Sequence, residues 1–263
     1  MNKNNTAQRV IIVGGGLAGI ACATACSAAG ADVTLLEARQ SLGGRAGSFE
    51  DAATGEQLDN CQHVLLGSCT NLLDLYRRLG VSDRISWHGR VHFLDARGRR
   101  HDLWRVPGLP APLHLGPAMA FFGALSLGER IAISRAMVAM LRLGRAGRDA
   151  LEGQAFGIWL DEHRQPSGLV RKFYDPVLMS ALNEDTRQAS TKYAVQVFQD
   201  AMLSNARGYV MGLPNCPLAA LYKKLPGAQV RLGTRVERLV FESGRATGVV
   251  LRASYPLSET LSL

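Results

Sequence analysis

The sequence predicts an α/β fold in which both ends of the chain build one sheet and a mainly helical segment is inserted between them. Three observations predict it. A short β-branched run, Val10 to Val13, leads at once into a glycine-rich turn and then an alanine-rich run. From about residue 81 to residue 208 the periodicity is helical. Strand-like segments return from Gln229 onward. The domains predicted on this basis are residues 1–80, 81–209 and 210–263, the first and last belonging together.

At 263 residues the chain can bury a large core without a disulfide or metal staple. Hydrophobic residues make up 47% and charged residues 20%, which excludes intrinsic disorder. The formal charge of +8 favours anionic partners. Nucleic acid is a poor explanation of it, because no aromatic-interleaved basic tract or zinc-finger spacing is present. The five cysteines show no paired C-x-x-C spacing, so neither a disulfide framework nor a metal site is expected, and a reducing, cytoplasmic compartment fits.

Two charge-free stretches invite a membrane-span reading, and both fail it. Val10 to Ala31 is interrupted by Gly14-Gly15-Gly16 and divides into a strand and a helix. Val106 to Gly128 carries Pro107, Pro110, Pro112 and Pro117, which a continuous spanning helix does not tolerate.

The first strand, Val10 to Val13, is short, apolar and β-branched, as a buried parallel strand should be. Gly14-Gly15-Gly16-Leu17-Ala18-Gly19 then follows the G-x-G-x-x-G pattern. Gly14 allows a sharp turn, Gly16 lets a pyrophosphate approach the main chain, and Gly19 lets the helix sit tight on the sheet. The helix predicted from Leu17 to Ala29 would present unpaired N–H groups to the phosphates and stop at Gly30. A second strand, Ala31 to Leu36, ends at Glu37, 23 residues beyond Gly14. That acid is placed to accept ribose hydroxyls and to repel a 2′-phosphate, which points to a dinucleotide other than NADP. A glycine-rich turn in some other α/β fold would leave Glu37 unexplained.

Beyond Glu37 the chain reads Ala38-Arg39-Gln40-Ser41-Leu42-Gly43-Gly44-Arg45. This glycine pair plus arginine resembles the second fingerprint of the FAD-dependent amine oxidase and carotenoid desaturase superfamily, and favours FAD over NAD. The resemblance implies a Rossmann-like FAD-binding domain. It assigns cofactor contacts to Gly14, Gly15, Gly16, Leu17, Ala18, Gly19, Glu37, Ala38, Arg39, Gly43, Gly44 and Arg45.

Further segments narrow it. Leu58 to Gly67, containing Gln62 and His63, and Leu72 to Gly80 resemble the squalene-associated FAD-dependent desaturase group, whose members act as hydroxysqualene dehydroxylases. Phe173-Tyr174-Asp175-Pro176, Ser180 to Glu184 and Arg231 to Val236 agree with it, so the resemblance runs from about Val10 to Leu251. It implies that Val236 offers a backbone amide to the adenine ring. Cys61 departs from the pattern, the family usually having glycine there; a side chain at that position would crowd the flavin. His63 is a weak catalytic candidate, since a lone histidine in an apolar segment is more often structural. Asp59 is a second candidate proton source. Cys22 and Cys26, four apart on the first helix, are expected to pack in the core.

In the middle segment, Ser126-Leu127-Gly128-Glu129 has capping-box spacing and opens a helix through Ile131 to Leu143. Arg135, Arg142 and Arg145 fall within roughly 80° of one another, opposite Ile133, Met137 and Met140. Two readings stay open: a peripheral contact with an anionic inner-membrane surface, or an ordinary surface helix packing its apolar side on the core.

At the other end, Gln229 to Leu232 reads as a third strand, and Arg235 to Glu242 and Ala246 to Arg252 as strands around the turn Ser243-Gly244. Family members continue well past this point, whereas Ala253 to Leu263 follows neither strand nor helix period. The expectation is a truncated chain lacking the carboxyl-terminal part of the family fold, with an unpaired sheet edge, exposed apolar surface and weak flavin retention. The function implied is reduction of hydroxysqualene to squalene by hydride from reduced FAD. The alternatives are a carotenoid-type desaturase and a non-catalytic nucleotide- or lipid-binding remnant.

Overall fold

The computed structural model describes residues 8–61, 63–252 and 260–262. Gln62 and residues 253–259, which carried part of the reading above, lie outside them. The chain begins β1 (Arg9–Val13), α1 (Leu17–Ala28), β2 (Asp32–Leu36), β3 (Ser48–Glu50), β4 (Gln57–Asp59), β5 (Leu65–Leu66) and α2 (Thr70–Arg78). Strands β6 (Ile85–His88), β7 (Arg90–Leu94) and β8 (Arg100–Trp104) follow. The helical stretch holds α3 (Gly116–Ala120), α4 (Leu127–Asp149), α5 (Phe156–Glu162), α6 (Ser167–Leu169), α7 (Asp175–Leu182) and α8 (Thr191–Phe198). The chain closes with β9 (Met211–Pro214), β10 (Ala228–Arg231), β11 (Val236–Glu242), β12 (Arg245–Leu251) and β13 (Thr260–Ser262).

These elements form two compact units. The first contains the described residues of 1–64, 70–86 and 213–263; the second contains 65–69 and 87–212.

In the first unit, β1, β2 and β10 form a parallel sheet with β2 in the centre, Val33 lying opposite both Val10 and Ala228. Parallel neighbours need a crossover, and α1 supplies the one between β1 and β2. The predicted third strand is therefore present and pairs with the strand that ends at Glu37. A second sheet runs β11-β12-β13, antiparallel throughout. Ser243 and Gly244 both have positive φ (49° and 79°), which gives the two-residue turn between β11 and β12 the twist a hairpin needs.

Two expectations fail in this unit. The carboxyl end is not without strand structure: Thr260 to Ser262 pairs with Val250 to Gly248, so that stretch of β12 has a neighbour on its outer side. Three residues are too few to show a period. Cys22 and Cys26 are not core residues either, Cys22 being exposed and Cys26 half-buried, while Ile20, Ala23 and Thr24 are buried. A helix built of small apolar residues has no amphipathic contrast from which its packed face can be read.

The second unit encloses an aromatic core. Phe173 is fully buried, stacked on Phe93 and Phe198 at ring distances of 5.8 and 6.2 Å, with Phe122 meeting it edge-on. The capping box forms as expected: Ser126 Oγ accepts the Glu129 N–H (3.3 Å) and Glu129 Oε2 accepts the Ser126 N–H (2.8 Å). Helix α4 breaks at Gly144 (φ 61°, ψ −169°). Gln199 Nε2 donates to the carbonyls of Met140 (2.7 Å) and Gly144 (3.3 Å), two acceptors beside the break. Arg148 in turn donates to Gln199 Oε1 (2.9 Å). The segment is not purely helical, because β7 and β8 form an antiparallel hairpin within it. Among the described residues no helix is long and apolar enough to cross a membrane.

Candidate functional site

The candidate site lies where β1 and β2 end, within the first unit, and backbone builds most of it. Gly14 leaves β1 with φ 101° while its N–H donates to the Leu36 carbonyl (2.8 Å), so the turn is pinned to the end of β2. Among the described residues no side chain caps α1, whose N-cap is Gly16. Its first-turn N–H groups, on Leu17, Ala18 and Gly19, therefore face outward in the way that suits an anion. A Cβ on Gly16 would meet nothing within 4 Å, whereas one on Gly19 would overlap the Gly14 carbonyl oxygen. The two glycines thus have different jobs: Gly16 keeps space open, and Gly19 lets the helix touch the strand exit.

Glu37, half-buried, ties its own segment to the glycine loop. Its Oε2 accepts the Gly15 N–H at 2.6 Å and its Oε1 accepts the Arg39 N–H at 2.7 Å. These bonds hold the carboxylate beside the glycine loop, and each oxygen keeps a lone pair for a further donor. The second glycine pair sits directly on the first turn. Gly43 donates to the Gly15 carbonyl (2.8 Å) and bridges Gly16 in parallel fashion, with φ 109°. A Cβ on Gly44 would come within 3.2 Å of the Gly16 Cα. Arg45 is exposed beside this contact, as are Ala38 and Arg39 on the other side.

Two contributors escaped the sequence reading. Leu42 is buried and occupies the space beneath Gly15; a single leucine in a polar run was the available signal. Asn60 donates through Nδ2 to the Arg45 carbonyl (3.2 Å) and through its N–H to Gly47 (2.9 Å), stitching a later loop to the second glycine pair. His63 joins it there, its Nε2 lying 3.0 Å from Cys61 Sγ and 3.3 Å from the Arg45 carbonyl. Asp59 is used structurally. Its Oδ1 accepts Ser48 Oγ–H (2.6 Å) and the Leu218 N–H (2.9 Å), the start of a short 3-10 turn.

Val236 is drawn to the same end of the sheet. Thr234 N–H donates to the Glu37 carbonyl (2.8 Å) and Gly233 N–H to the Arg39 carbonyl (2.9 Å). The Val236 side chain packs with Leu36, Val249 and Leu251. No group of three or more metal-ligating side chains occurs among the described residues.

Residues 17–254 match the family described as flavin containing amine oxidoreductase. The chain is 24% identical over 243 residues to 15-cis-phytoene desaturase of Arabidopsis thaliana, covering 88% of this chain and 42% of that protein. It is 25% identical over 241 residues to hydroxysqualene dehydroxylase of Zymomonas mobilis, covering 88% and 54%. The chain spans about half the length of the relatives it matches. Among solved structures it is similar in fold to an oxidoreductase from Methanosarcina mazei, with a TM-score of 0.66 at 17% identity, over 97% of this chain and 57% of the other.

Proposed function

Because the chain belongs to the flavin containing amine oxidoreductase family, whose cofactor is FAD, we propose that its first unit holds FAD for hydride transfer to or from an isoprenoid. The observation that carries this reading is the three-way junction of Gly15, Glu37 and Gly43, a backbone cradle with a carboxylate fixed at its edge. In it the N–H groups of Gly16 to Gly19 hold the pyrophosphate and Glu37 accepts from the ribose. Gly43 and Gly44 let the main chain pass close, Arg45 adds positive charge near the phosphates, and Val236 meets the adenine through its backbone.

Our first choice of reaction is reduction of hydroxysqualene to squalene. Reduced FAD, when bound, supplies the hydride for the allylic carbon from which the hydroxyl leaves as water. The chain must then hold one proton for that departing oxygen. We take His63 as the candidate for that proton, its ring lying against the Arg45 carbonyl beside the second glycine pair. The opposite direction, desaturation with oxidised FAD as acceptor, is the second reading, favoured by the comparable match to phytoene desaturase.

Anaerobic incubation of the full chain separates these. Squalene formed from hydroxysqualene with dithionite-reduced FAD supports the first reading. Bleaching of oxidised FAD by phytoene supports the second. Saturable FAD binding with neither reaction would leave a nucleotide-binding chain and remove both.

A further inference from the structure

Helix α4 carries two apolar faces. One, with Ile133, Ala136 and Met140, is fully buried in the core of the second unit. The other faces solvent: Leu127 is 72% exposed, Ile131 45% and Val138 44%. At about 100° per residue these three side chains lie within ~40° of one another. Phe121, 78% exposed, lies just ahead of the helix. A groove of about 540 Å³ follows this face, lined by Ala120, Leu127, Ile131 and Val138 together with Arg135 and Arg142.

Charge accompanies the stripe. From residue 130 to residue 148 the sequence holds five arginines and no acid. Arg130 is turned back onto the carbonyls of Leu125 (2.9 Å) and Ala120 (2.6 Å), and Arg148 is buried against Gln199. Arg135, Arg142 and Arg145 remain exposed on the outer side. A surface helix needs one apolar face to hold it to the core, and α4 has that face already. The second one stays exposed among the described residues.

We propose that this outer face of α4 docks on an anionic bilayer, with Leu127, Ile131 and Val138 entering the acyl boundary and Arg135 and Arg142 meeting the head groups. An apolar stripe beside arginines is the composition such a contact requires. A symmetric pairing of two copies through the same face would set arginines against arginines, which argues against a second chain as the occupant. The purpose of the contact, access to a water-insoluble isoprenoid, rests on the functional reading above; its geometry does not.

Flotation of the full chain with vesicles tests it. Phosphatidylcholine vesicles containing phosphatidylglycerol should carry the protein upward at low salt, and pure phosphatidylcholine vesicles should carry much less. Charge reversal in R135E/R142E should lower partitioning by about 30-fold or more, at roughly 1 kcal/mol per arginine removed. I131S/V138S should lower it by about tenfold while leaving the circular dichroism spectrum unchanged. Equal partitioning to both vesicle types, or unchanged partitioning of R135E/R142E, would overturn the proposal. So would a dimer in sedimentation velocity that I131S/V138S dissolves, since the face would then belong to a second copy. FAD binding is measured on the same preparations: flotation without it removes the functional reading alone, and FAD binding without flotation removes the docking face alone.

Discussion

The first unit makes its candidate site from main chain, and the second makes its core from side chains. At the cradle the decisive contacts are Gly43 N–H to Gly15 carbonyl, Gly14 N–H to Leu36 carbonyl, and Gly15 N–H to Glu37. In the second unit they are ring contacts among Phe93, Phe122, Phe173 and Phe198. Backbone can approach backbone only where no Cβ intervenes, so such a site demands glycine at fixed intervals. A side-chain core demands only apolar volume of the right shape, which many sequences meet. One region is consequently intolerant at a few positions and the other tolerant at most, and substitutions should separate them.

The largest effect is expected from Phe173→Ala. Removing a fully buried ring stacked on two neighbours should cost about 3–5 kcal/mol, read as a fall in the urea midpoint with an unchanged slope. A loss below ~1 kcal/mol would mean the core collapses freely around the gap. Next come the two glycines. Gly16→Val adds a side chain into open space, so the folded chain should keep its melting temperature while FAD affinity falls by about 100-fold, measured by flavin fluorescence quenching. Gly19→Val drives a side chain into the Gly14 carbonyl, and should lower both stability and affinity. Equal behaviour of the two variants would erase the distinction between keeping space open and allowing contact.

The same contrast governs what could be read in advance. The G-x-G-x-x-G run, Glu37 and the Gly43-Gly44 pair were legible because their chemistry permits few alternatives, and β10 and the β11–β12 hairpin followed from period and turn residues. Leu42 and Asn60 were not legible, since a leucine under a glycine and an amide on a carbonyl are local conveniences that leave no spacing. Cys22 was misread because α1 has no polar face to betray its orientation. The break in α4 had a signal in Gly144, but its partner Gln199 is 55 residues away, and nothing in a linear pattern connects them. The β7–β8 hairpin was hidden by alternating Arg, His and Asp residues that pair across it, such as His92 with Asp102 at 2.7 Å.

Smaller effects sharpen the comparison at its edges. Glu37→Ala removes the acceptor for Gly15 and Arg39 as well as the one proposed for the ribose, and should weaken FAD binding by about ten- to a hundredfold, the range for a lost charge-assisted bond. Titration calorimetry with ADP should show the same loss, since ADP carries both the ribose and the diphosphate; unchanged ADP affinity would remove Glu37 from the cradle. Ser126→Ala deletes half of the α4 capping box and should cost about 1 kcal/mol, seen as a drop of a few degrees in melting temperature. FAD affinity should not change, because the cap is in the unit that the cradle does not use.

The smallest effect at neutral pH concerns His114, and its sign can be worked out. The residue is fully buried, and neither ring nitrogen has a hydrogen-bond partner among the described residues. Burial, and after it the charge of Arg105, holds the imidazole below its ordinary pKa. The unfolded chain therefore takes up a proton at a higher pH than the folded chain does. Above the ordinary histidine pKa of about 6.5 both states are neutral and the residue adds no pH dependence; as pH falls below it, stability is lost until the folded-state value is passed. His114→Leu should match or exceed the wild type near pH 7.5, since an unpaired buried polar group is removed. It should also lose less stability between pH 7.5 and pH 5.5, taken as the difference in urea midpoints. A variant that is less stable at both pH values by the same amount would show that the imidazole is held by a hydrogen bond after all, and that the aromatic unit, like the glycine cradle, depends on a specific polar contact.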